Sequence, residues 1–282
     1  MAVKFIVDSA SDILPEEAEK LGIKRLSMKV TFGSDEYSDG EDINHIQFYE
    51  KLVEAEELPH TSQITPLEFS EAYESVLEDG DELVVITMSG KLSGTYQNAV
   101  LAAQDYEGRV YVVDSENATL GERIVIERGL ELAQEGKSGK EIAAILDQDK
   151  KKVRLIALLD TLEFLKKGGR ISSAVAFVGS MLSIKPVVAV EDGEVKMVGK
   201  ARGSKQGNNL LRELIAKCGG VNFDMPYALA YSGTSDSLLK KYIADNKDIY
   251  EAYMSEEDLP IHTVGSTIGT HVGPGAIAVS FF

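Results

Sequence analysis

Two short segments rich in hydroxyl side chains could together bind an anion. The segment TSQIT begins with Thr61 and Ser62, and the segment SGKLSGT ends with Ser93, Gly94 and Thr95. Hydroxyl groups and backbone N–H groups both donate hydrogen bonds to carboxylates and phosphates. If the two segments meet in the fold, Thr61, Ser62 and Ser93 are the predicted anion ligands. The alternative is that these hydroxyls only cap neighbouring helices, a common role for serine and threonine.

Ser93 lies between a buried strand and a helix. The run LVVI at 83–86 is wholly apolar, which is typical of a strand buried on both faces, and a helical pattern starts near Tyr96. The first N–H groups of a helix have no partners within it, and the helix dipole favours negative charge there. We expect Gly94 to let the backbone approach a ligand closely and Ser93 to add a hydroxyl donor.

His271 is a further candidate, because it lies in the glycine- and proline-rich segment GTHVGPGA, an unusual place for a core histidine. Imidazole can bind an anion as a cation or as a neutral donor. The alternative is a hydrogen bond that only holds the loop. His45, His60 and His262 do not have the spacing of metal ligands, so no metal site is predicted.

Two arginines stand out in an acidic chain. Arg170 in KKGGRIS and Arg202 in KARGSKQG lie in turns flanked by glycine. Each is predicted to contact an anion or to dock a partner protein. The alternative for each is a solvated arginine.

Composition limits the classes of function and location. The net charge of −17, with 44% hydrophobic residues, argues against nucleic acid or an anionic membrane as a partner, since both require a basic surface. The single cysteine, Cys218, excludes an internal disulfide and is predicted to be in the core, because it shares a helical stripe with Leu211 and Ile215. No leader-like N-terminal pattern and no apolar run of membrane-spanning length is found, so a cytoplasmic location is expected.

Strands alternate with helices over the first 150 or so residues, which predicts an α/β domain of three layers around a parallel sheet. The predicted strands are 3–7, 26–32, 83–86 and 109–115. Asp8, Ser89 and Asp114 then fall at strand ends, where such folds bind ligands. The segment between Pro59 and Pro66, which contains TSQ, is predicted to be a non-helical loop.

The rest of the chain predicts a second α/β domain with a mixed sheet. A hairpin of 184–190 and 195–198 turns at Asp192-Gly193. Further strands are expected at 153–161, 227–231, 249–254 and 276–281, and helices at 204–218 and 235–246. The domain boundary is placed after the lysines at 150–152, which gives domains of residues 1–152 and 153–282.

The apolar stretch 171–190 has two interpretations. It could be ordinary core, or it could line a tunnel for an acyl chain, because a lipid tail and a protein core offer the same apolar contacts. The residues do not separate these two interpretations.

Ser93 and His271 also fit a serine hydrolase that acts on acyl esters. The nucleophile elbow G-x-S-x-G is absent, since Lys91 stands where the first glycine belongs, and no acid partner is identified. The hydrolase is kept as the alternative function, with a phosphotransferase acting alone as a third. A Walker loop and a G-x-G-x-x-G fingerprint are also missing, so no cofactor is predicted.

Seven motifs, in order along the chain, resemble those of the DegV family of bacterial fatty-acid-binding proteins. They are VDSASD at 7–12, TSQITP at 61–66, SGKLSGTYQNA at 89–99, DS at 114–115, KKGGRIS at 166–172, KARGSKQG at 200–207 and HVGPGA at 271–276. The resemblance implies a two-domain α/β protein that holds one long-chain fatty acid between or within its domains.

The resemblance also implies roles for particular residues. The threonine of the TSQ segment and the serine of the SGT segment, here Thr61 and Ser93, would hold the carboxylate, with His271 nearby. Their neighbours would be Ser62, Gly94 and Thr95.

A partner is implied as well. Better-characterised members of the family are binding subunits of a fatty acid kinase, which present the carboxylate to a separate ATP-using subunit that makes an acyl phosphate for phospholipid synthesis. Arg202 would then be the docking residue for that subunit.

Overall fold

The computed structural model describes residues 2–172 and 184–282, in which strands and helices alternate. The strands are β1 (Val3–Asp8), β2 (Lys24–Leu26), β3 (Lys29–Phe32), β4 (Asp35–Ser38), β5 (His60–Ser62), β6 (Glu82–Thr87), β7 (Val110–Asp114), β8 (Arg154–Leu158), β9 (Ile184–Glu191), β10 (Glu194–Arg202), β11 (Ala228–Tyr231), β12 (Ile261–Thr263) and β13 (Ile277–Phe281). The helices are α1 (Pro15–Leu21), α2 (His45–Glu54), α3 (Pro66–Val76), α4 (Thr95–Ala102), α5 (Leu120–Gln134), α6 (Gly139–Asp149), α7 (Glu163–Lys167), α8 (Gly203–Lys217), α9 (Ser237–Asp245), α10 (Lys247–Tyr250) and α11 (Ser266–Val272).

The first sheet is parallel, with the strand order β2-β1-β6-β7. Val7 pairs with Ile86, and Ile86 pairs with Val113. All three side chains are at most 1% exposed, because apolar strands joined by helical crossovers are covered on both faces. The predicted parallel α/β sheet is confirmed.

A small antiparallel sheet, ordered β4-β3-β5, was not predicted. The predicted strand 26–32 is confirmed only in part, because the chain changes sheets within it and leaves Ser27 and Met28 outside any strand. Lys24–Leu26 pairs with β1, whereas Lys29–Phe32 pairs with β4 and β5. Between them the backbone N–H of Met28 donates to Ser9 Oγ at 3.0 Å. The TSQ segment, predicted as a loop, begins in strand β5 of this sheet.

The second sheet is mixed, as predicted, with the order β10-β9-β8-β13-β11-β12. Only its pair β11 and β12 is parallel among the pairings described. The hairpin of β9 and β10 turns at Asp192 and Gly193, whose φ angles are +51° and +78°. Two consecutive positive φ angles favour a two-residue turn containing glycine, so the predicted hairpin is confirmed.

Two other predictions in this half are wrong. The predicted strand 249–254 is helix α10 followed by a turn, in which Tyr250 is buried and the ring of Tyr253 stacks on Phe223 at 4.0 Å between centroids. The edge strand there is Ile261–Thr263 instead. Cys218 is exposed rather than buried, because α8 ends at Lys217 and the buried stripe of the helix stops at Ile215.

The largest apolar cluster joins the two main sheets. It contains Val7 and Val84 from the parallel sheet and Ala230 and Ala278 from the mixed sheet, together with Ile268 of α11. A division of the chain after residue 152 therefore passes between strands that share one core. No helix in residues 2–172 and 184–282 is both long and apolar enough to cross a membrane.

Candidate functional site

A narrow cavity of about 90 Å³ lies where the carboxyl ends of the parallel strands face the mixed sheet. Its volume is several times what one water molecule needs. Met88 and Ala118, which follow β6 and β7, form one wall, and residues of β8, β9 and β13 form the other. The cavity therefore occupies the edge at which α/β sheets bind ligands.

Alanines in the mixed sheet make room for this cavity. Ala157 of β8 lies beside Ala278 of β13 on one side and Val188 of β9 on the other. Leu155 and Val190, two residues along on the same face, pair with each other and also line the cavity. Small side chains flanked by larger ones leave a groove above the sheet.

Four polar residues predicted from the sequence line this cavity: Thr61, Ser93, Arg170 and His271. Thr61 Oγ1 lies 3.0 Å from His271 Nε2, although 210 residues separate them in the chain. Arg170 Nε donates to the carbonyl of Leu92, the residue before Ser93, at 3.2 Å. These contacts pair Thr61 with His271 and place Arg170 beside the segment that carries Ser93, so the four residues form one polar cluster on an otherwise largely apolar wall.

The two hydroxyl-rich segments meet, and Gly94 is the reason they can. The side-chain amide of Gln63 rests on the Cα of Gly94, where a Cβ would overlap it. Beside this contact, Asn98 Nδ2 of α4 donates to the carbonyl of Ile64 at 2.7 Å. Glycine thus permits the close approach, and Asn98 holds it.

Ser93 both supports α4 and faces the cavity. Its Oγ accepts a hydrogen bond from the backbone N–H of Thr95 at 3.2 Å and lies 2.9 Å from Thr95 Oγ1. Thr95 itself is fully buried. Ser93 is not the N-cap residue of α4, which is Gly94, but its hydroxyl binds the first N–H of the helix from a position on the cavity wall.

His271 is held as a neutral imidazole. Burial, reinforced by the positive charge of Arg170, lowers its pKa to about 4. Its Nδ1 has no hydrogen-bond partner among the residues described and lies against the Cα of Gly168, where a Cβ would overlap it. The ring is therefore positioned by Thr61 on one side and by a close glycine contact on the other.

Arg170 carries an uncompensated charge at the cavity. Its Nη1 donates to the carbonyl of Gly168 at 2.7 Å, and burial lowers its pKa without removing its charge. Within residues 2–172 and 184–282, no carboxylate forms an ion pair with it. The polar cluster thus combines hydroxyl donors with a half-buried cation.

Two aspartates of the N-terminal half anchor the helix that carries His271. Asp12 Oδ1 accepts from the N–H of Gly265 at 2.8 Å, and Asp39 Oδ1 accepts from the N–H of Ser266 at 2.9 Å. Asp39 Oδ2 also accepts from the N–H of Thr267 at 3.3 Å. These carboxylates satisfy N–H groups that the first turn of α11 leaves free. Sequence reasoning missed them, because the partners are more than 220 residues apart.

A buried acidic set formed by Asp8, Asp12 and Glu122 lies next to the cavity. Burial raises the pKa of Asp8 to about 6 and that of Asp12 to about 7, and it raises the pKa of Glu122 well above its usual value. Asp8 accepts from the N–H of Met88 at 2.8 Å, and Thr119 donates to Asp12 at 2.5 Å. Both donors line the cavity, so the acidic set supports its wall.

The other predicted ligands lie off the cavity lining. Ser62 is exposed, because successive side chains of β5 alternate and Thr61 takes the inward position. Gly94 lies beneath Gln63, and Thr95 lies behind Ser93. Arg202 is exposed at the start of α8, outside the cavity.

Most of the apolar stretch 171–190 falls at 173–183, outside the described residues. Its described parts fit both interpretations at once. Ile171 and Val188 pack in one apolar cluster with Leu159 and Leu165, and Val188, Leu159 and Leu165 also line the cavity.

Fold and site define an α/β protein of two main sheets and one small sheet that encloses an apolar cavity with one polar cluster. The family model described as "Uncharacterised protein, DegV family" matches residues 2–282. A DegV domain-containing protein of Deinococcus radiodurans is 33% identical over 285 residues, covering 99% of this chain and 98% of its own. The chain belongs to the DegV family.

Solved structures of relatives have the same fold. One is described as "Fatty Acid Binding of a DegV family Protein from Thermus thermophilus"; it has a TM-score of 0.87 and 32% identity, with 99% of each chain covered. Another, of "DegV, a fatty acid binding protein from Bacillus subtilis", has a TM-score of 0.82 and 27% identity, with 99% of this chain and 98% of that chain covered.

Proposed function

We propose that this protein binds one long-chain fatty acid, with its tail in the cavity and its carboxylate at Thr61 and Ser93. The observation that carries the proposal is the polar cluster itself: a cation that forms no ion pair among the residues described, a neutral imidazole and two hydroxyls on an apolar cavity. Two relatives described as fatty-acid-binding proteins support the same ligand class.

The tail provides most of the binding free energy. Burying one methylene group contributes about 0.8 kcal/mol, so a chain of sixteen carbons gains roughly 11 kcal/mol before ordering costs once the cavity, about 90 Å³ as described, widens to bury all of it. A buried carboxylate without donors would cost far more than it gains. The hydroxyls therefore make the head group tolerable and fix its orientation.

The imidazole decides which way the Thr61 hydroxyl points. Neutral His271 carries a single hydrogen. On Nε2, that hydrogen donates to Thr61 Oγ1, and the hydroxyl hydrogen of Thr61 is free for the carboxylate. On Nδ1, the hydrogen faces Gly168, and Thr61 must donate to the ring instead. Carboxylate binding thus selects the Nε2–H tautomer.

The hydrolase alternative lacks its central contact. A serine nucleophile needs a base within hydrogen-bond reach. Among the residues described, His271 Nε2 contacts Thr61 rather than Ser93, whose Oγ contacts Thr95. We therefore favour a carrier without turnover of its own; labelling of Ser93 by a fluorophosphonate would contradict this.

The first test is the identity and affinity of the ligand. Organic extraction of mildly purified protein is expected to release a C14–C18 acid, identified by its mass. Thr61→Val and Ser93→Ala should each weaken palmitate binding by about 1.5–3 kcal/mol, because each removes a donor to a charged group. Ser62→Ala, an exposed neighbour on the same strand, is the matched control. Unchanged affinity in both cavity variants, or a protein that takes up no palmitate, would overturn the proposal.

A separate ATP-dependent kinase subunit is the proposed recipient of the bound carboxylate, with Arg202 as a docking residue. Because Arg202 is exposed and off the cavity, Arg202→Glu should leave palmitate affinity unchanged and abolish acyl phosphate formation by that subunit. Lys217→Glu, at the opposite end of α8, controls for the change in charge. Equal acyl phosphate yields from both variants would remove Arg202 from the docking surface.

A further inference from the structure

The hydroxyl of Thr267 is a polar group in the cavity wall that the fatty acid head group does not require. Thr267 is 2% exposed, and its Oγ1 has no hydrogen-bond partner among the residues described. Its backbone is fixed, since its N–H donates to Asp39 Oδ2. Thr267 lines the cavity, so a hydroxyl with no described acceptor lies in the cavity wall on a fixed stretch of backbone.

The other cavity hydroxyls differ in this respect. In the described part of the lining, Thr119 donates to Asp12, Thr61 contacts His271 and Ser93 contacts Thr95. A buried donor without an acceptor is costly, and in native proteins such a group commonly serves a ligand or a water molecule.

Helix geometry places this hydroxyl relative to the head group. Thr267 and His271 are four residues apart on α11, so their side chains lie on one face, with Cβ atoms about 5–6 Å apart. Both line the cavity. An oxygen on one of the first carbons of the chain would lie at the matching distance from a carboxylate bound beside His271.

We propose that Thr267 forms a second polar subsite, which accepts an oxygen substituent near the carboxyl end of the fatty acid, as in a 3-hydroxy acid. The inference rests on the proposed function, since it places the carboxylate beside His271. It extends the ligand class from plain to oxygenated long-chain acids.

The test compares two ligands within each variant. Wild-type protein, Thr267→Val and Thr267→Ser are titrated with palmitate, 3-hydroxypalmitate and 16-hydroxypalmitate. The affinity ratio of 3-hydroxypalmitate to palmitate should fall about threefold to tenfold in Thr267→Val, which keeps the shape and removes the hydroxyl, and should be restored in Thr267→Ser. The ratio for 16-hydroxypalmitate, whose hydroxyl lies at the far end of the chain, should be the same in all three proteins.

Each other outcome is decisive. If the affinity ratio of 3-hydroxypalmitate to palmitate is unchanged in Thr267→Val, the subsite is overturned, and the hydroxyl then serves a water molecule. Equal loss of both ligands in Thr267→Val overturns it as well, because the hydroxyl then serves the carboxylate. If wild-type protein binds no palmitate at all, the proposed function fails instead. Circular dichroism of each variant checks that it is folded.

Discussion

At the scale of single residues, His271 illustrates how burial changes the use of a side chain. In solution an imidazole with a pKa near 6.5 is an anion-binding cation below neutrality. Here burial and the nearby Arg170 lower the pKa to about 4, so that His271 is neutral at pH 6–8. The positive charge at the site comes from Arg170, and His271 acts by setting the direction in which the Thr61 hydroxyl donates.

His271 and Arg170 are therefore expected to cause no change in palmitate affinity between pH 6 and pH 8, because neither titrates there, and any change in that range comes from Asp8 and Asp12, whose pKa values burial raises to about 6 and about 7. Isothermal titration calorimetry at both pH values measures this. A several-fold loss of affinity as the pH rises through 6.5, absent in His271→Asn, would show that the imidazolium binds the carboxylate.

At the scale of elements, the site depends on how closely strand β5 approaches helix α4. Gly94 has an ordinary negative φ of −72°, so glycine is required there by space rather than by backbone conformation. The side chain of Gln63 fills the position that a Cβ would take. The glycine thereby sets the distance between the segments that carry Thr61 and Ser93.

Gly94→Ala is expected to push Gln63 and Thr61 away from Ser93 and to weaken palmitate binding. Overpacking of this kind also costs about 1–3 kcal/mol of stability. The double variant Gly94→Ala/Gln63→Ala removes the overlapping amide and should recover most of the affinity. Titration of both variants with palmitate measures this. If Gln63→Ala does not restore binding in the Gly94→Ala background, overlap with the Gln63 amide is not the reason for glycine at position 94.

Local sequence was sufficient for most of the elements. The apolar run at 83–86, the Asp192-Gly193 turn and the alternation of strands with helices follow from neighbouring residues, and they predicted the parallel sheet, the hairpin and the mixed second sheet. The prediction at 26–32 missed the change of sheet. At that point the N–H of Met28 binds Ser9, which is nineteen residues away in the sequence. The side-chain pattern at 249–254 also did not distinguish a strand from a helix and turn, because the packing partner Phe223 lies outside that segment.

The candidate site shows the same limit. The side-chain types of Thr61, Ser93, Arg170 and His271 singled them out, and all four line one cavity, although Thr61 lies in strand β5 and His271 in helix α11 rather than in the predicted loops. Ser62 points outward because side chains alternate along strand β5. The sequence predicted a loop at this position, so this orientation could not be predicted. The anchoring of α11 by Asp12 and Asp39 joins residues over 220 positions apart, and no local pattern reports such a pair.

At the scale of the whole molecule, the cavity and the main core belong to both sheets. Val84 and Ala278 lie in one apolar cluster, and the cavity is lined from both sides. A ligand bound there contacts both halves of the chain at once. It therefore stabilises the folded state in which the two halves are together, by RT ln(1 + [L]/Kd).

The buried acidic set turns folding into a proton-uptake reaction. In the unfolded chain Asp12 and Glu122 ionise at their ordinary pKa values near 4, whereas burial in the folded protein raises the pKa of Asp12 to about 7 and that of Glu122 well above its usual value. His262 and His271, with pKa values of about 4, release protons on folding, but only below about pH 7. Above pH 7 the folded state holds more protons than the unfolded state, so the free energy of unfolding should fall as pH rises from 7 to 9.

Urea denaturation at pH 7, 8 and 9 measures this slope. Glu122→Gln, which needs no proton to stay neutral, should make it shallower, and an equally steep slope in that variant would assign the effect elsewhere. Acid groups commonly make proteins more stable as the solution becomes less acidic, and this molecule is expected to do the reverse. A mildly alkaline buffer should thus destabilise the wall of the cavity, whereas the bound carboxylate is already ionised and keeps its charge.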